Sequence, residues 1–332
     1  MNKFILDVRH GQANTAGVKA KQDITQILTK NGYKELSFVV RDTKIAKLLM
    51  TAHDWSKTLK QVNTGDMVVL QYPMYSRFAG DIFFKTVKKL DLQITKVAVI
   101  HDIESLRLYK NDDKKIAEEL NFLNQFDTLI VHNEKMMKWL LDNGIKINMV
   151  SLEIFDYVNN NPMIAASLEK PLVFAGNLKK SSFLEKFKVK KRTELFGIEP
   201  SEKYPDNIHY NGVKSPEELP KFLDGSFGLV WDGESLETNT GIYGEYTRYN
   251  NPHKVSLYLS SGLPVIVWKE AAIASFIQNN KLGIVIENLG DIDNTLNRVT
   301  KVQYNEMKNN VEEISKRLRT GQSILNALKR IV

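Results

Sequence analysis

Two stretches of the chain combine residue types that can do chemistry. The first is His101-Asp102, which follows directly on the apolar run at 97–100. A histidine at the end of a buried strand can move a proton near neutral pH, and the adjacent carboxylate can orient it or accept a hydroxyl. The same pair also reads as structure, with Asp102 capping a following helix and His101 packed on the sheet edge. Glu104 and Arg107 follow closely, and Arg107 suits either a phosphate or solvent. The second stretch is Tyr249-Asn-Asn-Pro-His-Lys254, ahead of a helix that closes at Ser261-Gly262. Pro252 ends an extended segment, so a helix starts near His253 and Lys254 falls in its first turn. A cation there opposes the helix dipole by roughly a few tenths of a kcal/mol. An anion such as a diphosphate on the same helix end reverses that cost.

Other candidates lie where short apolar runs end. Gly11 and Gly17 bracket a loop that also carries Thr15, just after the run at 4–8. Glycines there permit close backbone approach to an anion at a helix N-terminus. The spacing is not G-x-G-x-x-G, which argues against a nicotinamide or flavin. Gly176-Asn177 and Tyr210-Asn211-Gly212 close two further runs. Tyr210 can stack on a base, and Lys179 or Lys180 can reach a phosphate; ordinary turns and solvated lysines fit the same residues. The segment 186–192 alternates basic and apolar residues, as a half-buried strand with one basic face would, and such a face could dock on anionic lipid. There is no P-loop, no G-x-S-x-G elbow and no H-E-x-x-H. Asp291-Ile-Asp293 opens a helical region and reads as a cap, so no metal site is expected.

The elements that must hold these residues alternate regularly. In the first half, strand-like runs at 4–8, 36–40, 67–71, 96–100 and 128–131 are separated by helical stretches at 19–30, 46–62, 83–90 and 116–126. The second half repeats the logic with runs at 172–175, 208–210, 227–231, 264–267 and 283–286. That alternation predicts α/β architecture with parallel sheets. The polar stretch Asn159-Asn-Asn-Pro162 suits a linker, and Val311, Ile314, Leu318, Leu325, Leu328 and Ile331 keep a near-3.6 period across Gly321. Ligands of open parallel sheets bind beyond the strand C-terminal ends. Two such domains can face one another across a cleft.

Composition agrees. A chain of 332 residues, 42% hydrophobic and 26% charged, suits two folded domains and excludes a disordered or collagen-like chain. A net charge of +7 suits an anionic ligand without naming one. The basic residues are spread among acidic ones, which disfavours nucleic acid. The absence of cysteine excludes disulfides, cysteine-zinc sites and a cysteine nucleophile, and favours the cytoplasm. The first residues lack a signal-peptide pattern, and no apolar stretch is long enough to span a bilayer.

The run Asn-x-Pro-His-Lys254, a helix, then Ser-Gly-Leu-Pro-Val-Ile-Val resembles the bacterial GT-B sugar transferases. It is most similar to β-1,6-galactofuranosyltransferase-like proteins, with the glucosyltransferases of serine-rich repeat adhesin glycosylation as a sister group. The Gly11-Gln12 loop, residues 100–107, Phe174-Ala-Gly-Asn177 and Gly228-Leu-Val-Trp231 extend the resemblance along nearly the whole chain. It implies two Rossmann-like domains, at 1–155 and 165–310, facing a cleft, with a helix at 311–332 crossing back. It implies a UDP-sugar donor held by Gly11, Thr15, Gly17, Gly176, Asn177, Lys179, Tyr210, Asn211, Asn251 and Lys254, with His101 and Asp102 catalytic and no metal or other cofactor. The reaction implied is transfer of a hexose, of the UDP-glucose or UDP-galactofuranose class, to a glycan or glycoprotein acceptor in the cytoplasm. A non-catalytic nucleotide-sugar-binding partner of a glycosylation complex is the alternative. Contact with the inner membrane face and homo-oligomerisation are left open. Glu270 stands near one position of the paired-glutamate motif of retaining enzymes, and no partner glutamate follows. Retention versus inversion therefore stays undecided.

Overall fold

Runs of Val, Ile and Leu bounded by turn residues form two parallel sheets in the computed structural model, which describes residues 1–9 and 16–331. The chain divides into one unit of Met1–Leu152 with Ile324–Val332 and a second of Glu153–Ser323. The strands of the first unit are β1 (Lys3–Arg9), β2 (Lys34–Val39), β3 (Met67–Tyr72), β4 (Thr95–Ile100), β5 (Thr128–Val131) and β6 (Asn148–Ser151). Their order is β2-β1-β3-β4-β5-β6, all parallel. Strands β3 and β5 are buried along their whole length, as continuous apolar runs covered on both faces must be. Between them run α1 (Ala16–Lys30), α2 (Lys44–Thr58), α3 (Arg77–Lys89), α4 (Asp113–Leu123) and α5 (Glu134–Asp142). The side chains of Thr43, Ser76, Asp112 and Asn133 each accept an N–H from the first turn of α2 to α5. Each such cap stabilises its helix by about 1 kcal/mol.

The second unit holds β7 (Leu172–Asn177), β8 (Thr193–Ile198), β9 (Ile208–Tyr210), β10 (Phe227–Val230), β11 (Val265–Trp268) and β12 (Gly283–Ile286). Their order is β12-β11-β10-β7-β8-β9, again all parallel. Its helices are α6 (Gly241–Tyr246), α7 (His253–Ser260), α8 (Ala274–Asn279), α9 (Ile292–Arg298) and α10 (Lys301–Thr320). Helix α10 packs on α7, where Ser315 Oγ and Arg319 Nε donate to the Ser260 carbonyl at 3.0 and 2.7 Å. That answers a carbonyl the end of α7 leaves without a helical partner. No described helix is long and apolar enough to cross a membrane.

The chain ends in two helices. Gly321, at φ 81°, closes α10 in the left-handed conformation, and α11 (Gln322–Lys329) starts one residue later. A side chain at Gly321 would be strained there. Ser323 at the start of α11 donates its N–H to Asp156 at 3.0 Å, and from Ile324 onward the chain belongs to the first unit.

Both sheets carry one strand more than the sequence pattern indicates. Strand β6 is four residues long and β8, Thr-Glu-Leu-Phe-Gly-Ile, mixes polar and apolar positions. The strand expected at 186–192 is not there: a 3-10 helix at Ser182–Lys186 leads into irregular chain up to β8. Lys186, Lys188, Lys190 and Arg192 are nonetheless all exposed, while Phe187 between them is buried. Lys191 Nζ reaches the Leu168 carbonyl at 2.5 Å, and Arg192 pairs with Glu194.

Each strand order reverses once, between β1 and β3 in the first unit and between β7 and β10 in the second. At such a point the connections leave in opposite directions and open a crevice beyond the strand ends.

Candidate functional site

In the second unit the crevice is held open by a tyrosine. Strands β7 and β10 are paired at Leu172–Phe227 and Val173–Gly228 and then part. Past that point the Ala175 N–H donates to the hydroxyl of Tyr258, on α7, at 2.7 Å, and the hydroxyl points on to the Leu229 carbonyl at 3.5 Å. One phenol thus answers groups that would otherwise bond one another. Its ring crosses Gly228 so closely that a Cβ there would lie 2.3 Å from ring carbons, so only glycine fits. Burial raises the Tyr258 phenol well above its ordinary pKa, and the hydroxyl stays protonated.

Lys254 lies at the mouth of this crevice, in the first turn of α7. Its ammonium is 2.9 Å from Asp232 Oδ1, 3.4 Å from the Trp231 carbonyl and 4.7 Å from the centroid of the Phe174 ring. Both members of the ion pair are about 15% exposed. Ser181 Oγ contacts the same Asp232 oxygen at 3.3 Å. Gly176 borders the ammonium, whose Nζ would lie 3.8 Å from a Cβ placed on that glycine. Next to it, Asn177 donates its amide nitrogen to Glu199 at 2.6 Å, while its amide oxygen is buried with no hydrogen-bond partner. The crevice therefore brings a cation, a hydroxyl and a carboxylate together near the N-terminal end of α7.

The structure brings Gly176, Asn177 and Lys254 together, keeps Tyr210 nearby, engages Asn211 and Asn251 elsewhere and leaves Lys179 exposed. The Tyr210 hydroxyl donates to the Gly197 carbonyl at 2.9 Å, and Gly197 is paired with Gly176, so Tyr210 stays at the same strand ends. Asn211 is turned away, its amide on Glu194 at 2.6 Å. Lys179 is exposed, and Lys180 Nζ lies 3.8 Å over the Tyr243 ring. Asn251 is 3% exposed and donates to the Glu153 carbonyl at 2.9 Å, so it fixes the chain's entry into the second unit. Ser256 does the same at Phe155, at 2.7 Å. Gly17 lies in the first turn of α1, while Gly11 and Thr15 fall outside the described residues. Asp232, Ser181 and Tyr258 were not singled out from the sequence. Asp232 had a signal, since it directly follows a buried run ending at Trp231. Tyr258 had none, being one apolar residue among several on a buried helix.

The first unit gathers a different set at its own reversal point. Gln71, at the end of β3, holds His101 Nε2 at 2.9 Å through Oε1 and donates from Nε2 to the Lys21 carbonyl and Thr25 hydroxyl of α1, both at 3.1 Å. Asp102 pairs with Arg107 at 3.3 Å, and Arg107 also pairs with Glu104. Lys21 donates to the Pro73 carbonyl at 2.6 Å and lies 4.3 Å over the Tyr75 ring. Burial pulls the Lys21 ammonium down to about 8 against the opposing pull of Asp102 and Asp7. The turn that carries Asp102 is anchored from below by Glu119 of α4. That buried carboxylate accepts from the Tyr72 hydroxyl at 2.6 Å and from the N–H groups of Glu104 and Ser105 at 3.1 and 2.6 Å. Lys21, Gln71 and Glu119 gave no sequence signal, because each reads as an ordinary polar residue on its element.

Glu270 forms an ion pair with Arg248, whose guanidinium lies 4.4 Å over the Trp268 ring. Asp293 accepts the Lys190 N–H at 3.1 Å, which accounts for one half of the Asp291-Ile-Asp293 pair. Among the described residues no cluster of His, Cys, Asp and Glu is placed to hold a metal ion.

Comparison with known proteins gives matches over both units. Residues 2–154 match the family model for the glucosyltransferase 3-like N-terminal domain and residues 172–331 that for its C-terminal domain. The chain is 30% identical to the β-1,6-galactofuranosyltransferase WbbI of Escherichia coli K12, over 99% of this chain and 98% of that protein. It is 28% identical to glucosyltransferase 3 of Streptococcus gordonii, over 91% and 90%. Among solved structures, an α-glucosyltransferase in complex with UDP superposes with a TM-score of 0.60 at 13% identity, over 99% of this chain and 98% of that one. The E. coli trehalose-6-phosphate enzyme bound with UDP-2-fluoro glucose gives 0.61 at 12% identity, over 100% of both. At that identity these two show the fold, which is GT-B: two Rossmann-like domains in one chain.

Proposed function

The chain belongs to the glucosyltransferase 3-like family of glycosyltransferases, and on that premise we propose that it moves a hexose from a uridine diphosphate sugar to a hydroxyl of a carbohydrate acceptor. The observation that carries the donor half is Lys254 at the reversal point of the second sheet, in the first turn of α7 and 2.9 Å from Asp232. Departure of the sugar leaves a diphosphate whose negative charge grows as the glycosidic bond breaks. An ammonium and helix N-terminal amides aimed at that charge stabilise it without rearranging. In this reading charge compensation comes from Lys254 and α7 rather than from a metal. The amide oxygen of Asn177, next to Gly176, is buried without a hydrogen-bond partner and suits an N–H of the nucleotide. Two fold neighbours, solved with UDP and with UDP-2-fluoro glucose, support the choice of nucleotide.

His101 and Asp102 take the acceptor side. Gln71 holds the His101 ring and Arg107 holds the Asp102 carboxylate, so both are oriented before substrate arrives. Either can receive the proton of an attacking hydroxyl. We place the reaction in the cytoplasm, in keeping with a chain without cysteine.

The test is a donor panel of UDP-glucose, UDP-galactofuranose, UDP-galactopyranose and UDP-N-acetylglucosamine, followed by thermal shift and by release of UDP. One donor should stabilise the protein and turn over. Stabilisation by none of them, nor by UDP, would overturn the reading.

A further inference from the structure

Helix α2 carries two seams, and the fold uses only one of them. Thr51, Trp55 and, just beyond the helix, Leu59 recur every four residues and are buried. Trp55 fixes this seam: its ring stacks on Phe38 of β2, and its indole N–H donates to the Ala79 carbonyl at 2.8 Å. The second seam is Ile45, Leu48, Leu49 and Ala52, the i, i+3, i+4, i+7 spacing of one helix face. All four lie in solvent, with Ile45, Leu48 and Leu49 at 74, 70 and 73% exposure. Single exposed apolar residues are ordinary, whereas a row of them along one face marks an interaction surface.

The charges around the seam select what covers it. Between residues 41 and 60 stand Arg41, Lys44, Lys47, Lys57 and Lys60 against Asp42 and Asp54. Arg41 and Asp54 neutralise one another at 2.9 Å, which leaves four lysines against Asp42. Glu35 of the adjoining β2 is already paired with Arg9. Lys44, one turn before Leu48, borders the seam at its start, and Lys60 stands beyond its end. Two copies pairing seam to seam would set like charges against one another. An anionic bilayer meets both features at once, its headgroups attracting the lysines and its acyl boundary receiving the apolar row. At 15 residues α2 is too short to cross a bilayer and suits lying along one. The other cationic stretch, 186–192, has its Phe187 buried in the core and so offers charge without insertion.

We propose that α2 docks the protein on an anionic phospholipid surface, with Ile45, Leu48 and Leu49 entering the headgroup–acyl boundary and the lysines of the helix and its extension supplying the attraction. Helix α2 leaves β2 at its C-terminal end, the end of the sheet at which His101 follows β4. Docking therefore turns that end of the first unit toward the lipid. The docking stands whether or not the chain transfers sugar; calling that end the acceptor side rests on the proposed function.

The test is co-sedimentation of the full chain with vesicles of phosphatidylcholine alone and with about 30% phosphatidylglycerol added. The chain should bind the anionic vesicles, bind the neutral ones about 10-fold more weakly or less, and release in about 0.5 M salt. Leu48→Ser with Leu49→Ser should weaken binding about 10-fold or more, and Lys44→Gln with Lys60→Gln about 10-fold. All four side chains are exposed, so both double variants should keep the parent's melting temperature. Binding to neither vesicle, equal binding to both, or unchanged binding in the Leu48–Leu49 variant overturns the proposal. So does a parent that self-associates in sedimentation velocity and becomes monomeric in that variant, which would assign the seam to a second copy. A chain that docks on vesicles but binds no UDP would sink the donor reading and leave this one standing.

Discussion

The Lys254 ammonium and the Asp232 carboxylate lie 2.9 Å apart, so the cation at the mouth of β7 and β10 already has a counter-ion within the chain. A diphosphate must therefore compete with Asp232 for the same ammonium and tolerate a carboxylate nearby. Replacing Asp232 by Asn removes both obstacles while keeping the shape. Asp232→Asn should bind UDP about 10-fold more tightly, given that one repulsive charge at short range amounts to about 1.4 kcal/mol or more in a partly buried site. Weaker binding in calorimetry would instead make Asp232 a direct ligand contact.

Tyr258 and Gly228 form one unit. Tyr258→Phe leaves the Ala175 N–H buried without its acceptor, at a cost of about 1–3 kcal/mol. Gly228→Ala drives a methyl into the Tyr258 ring and should cost as much or more. Urea unfolding measures both. If the hydroxyl keeps the crevice open, the loss in UDP affinity in Tyr258→Phe should exceed that of another second-unit variant of equal stability.

Glu119 supports the His101–Arg107 turn from within the core. Glu119→Ala orphans the Tyr72 hydroxyl and the N–H groups of Glu104 and Ser105, and should destabilise the chain by about 3 kcal/mol. Glu119→Gln keeps part of the set and should fold. It should lower turnover more than it raises the donor KM, because it loosens the turn that bears Asp102. A donor KM that rises while turnover holds would contradict that role.

Much of the fold can be read from apolar periodicity, and it is instructive where the reading stops. Ten of the twelve strands among the described residues fall on runs such as 67–71 and 265–267, whose both-face burial leaves a continuous apolar signal. Strand β8 escaped because its apolar run is only Leu195-Phe196, flanked by Glu194 and Gly197. The basic alternation just before it imitated a strand. The position of Lys254 in the first turn of α7 was legible, since Pro252 ends an extended segment and a helix follows. Asp232, which answers it from another strand end, was not, since pairing across 22 residues depends on topology rather than on spacing. For Asn251 the dense motif suggests a ligand, and its amide bond to the Glu153 carbonyl is a contact that spacing does not reveal.

His132, at the end of β5, makes stability depend on pH. It is fully buried, with Nε2 3.1 Å from the Ile100 carbonyl, and burial pushes its imidazole down to about 4 from 6.5. Between those values the unfolded chain binds the proton and the folded chain does not, so stability rises with pH across that window and is lost as pH falls through it. The loss by pH 4 amounts to about 3 kcal/mol. Denaturant unfolding at pH 7 and pH 4.5 should show a steeper fall for the parent chain than for His132→Gln. Parallel slopes would mean that the imidazole is protonated in the folded state.

The most direct test of the account is a calorimetric titration of UDP into the parent chain and into Lys254→Ala. If Lys254 is the diphosphate contact, the variant should lose about 1.5–3 kcal/mol of binding, roughly 10- to 150-fold in Kd, with its fold intact by thermal melting. Equal affinities in the two proteins would contradict the donor site described for the second unit.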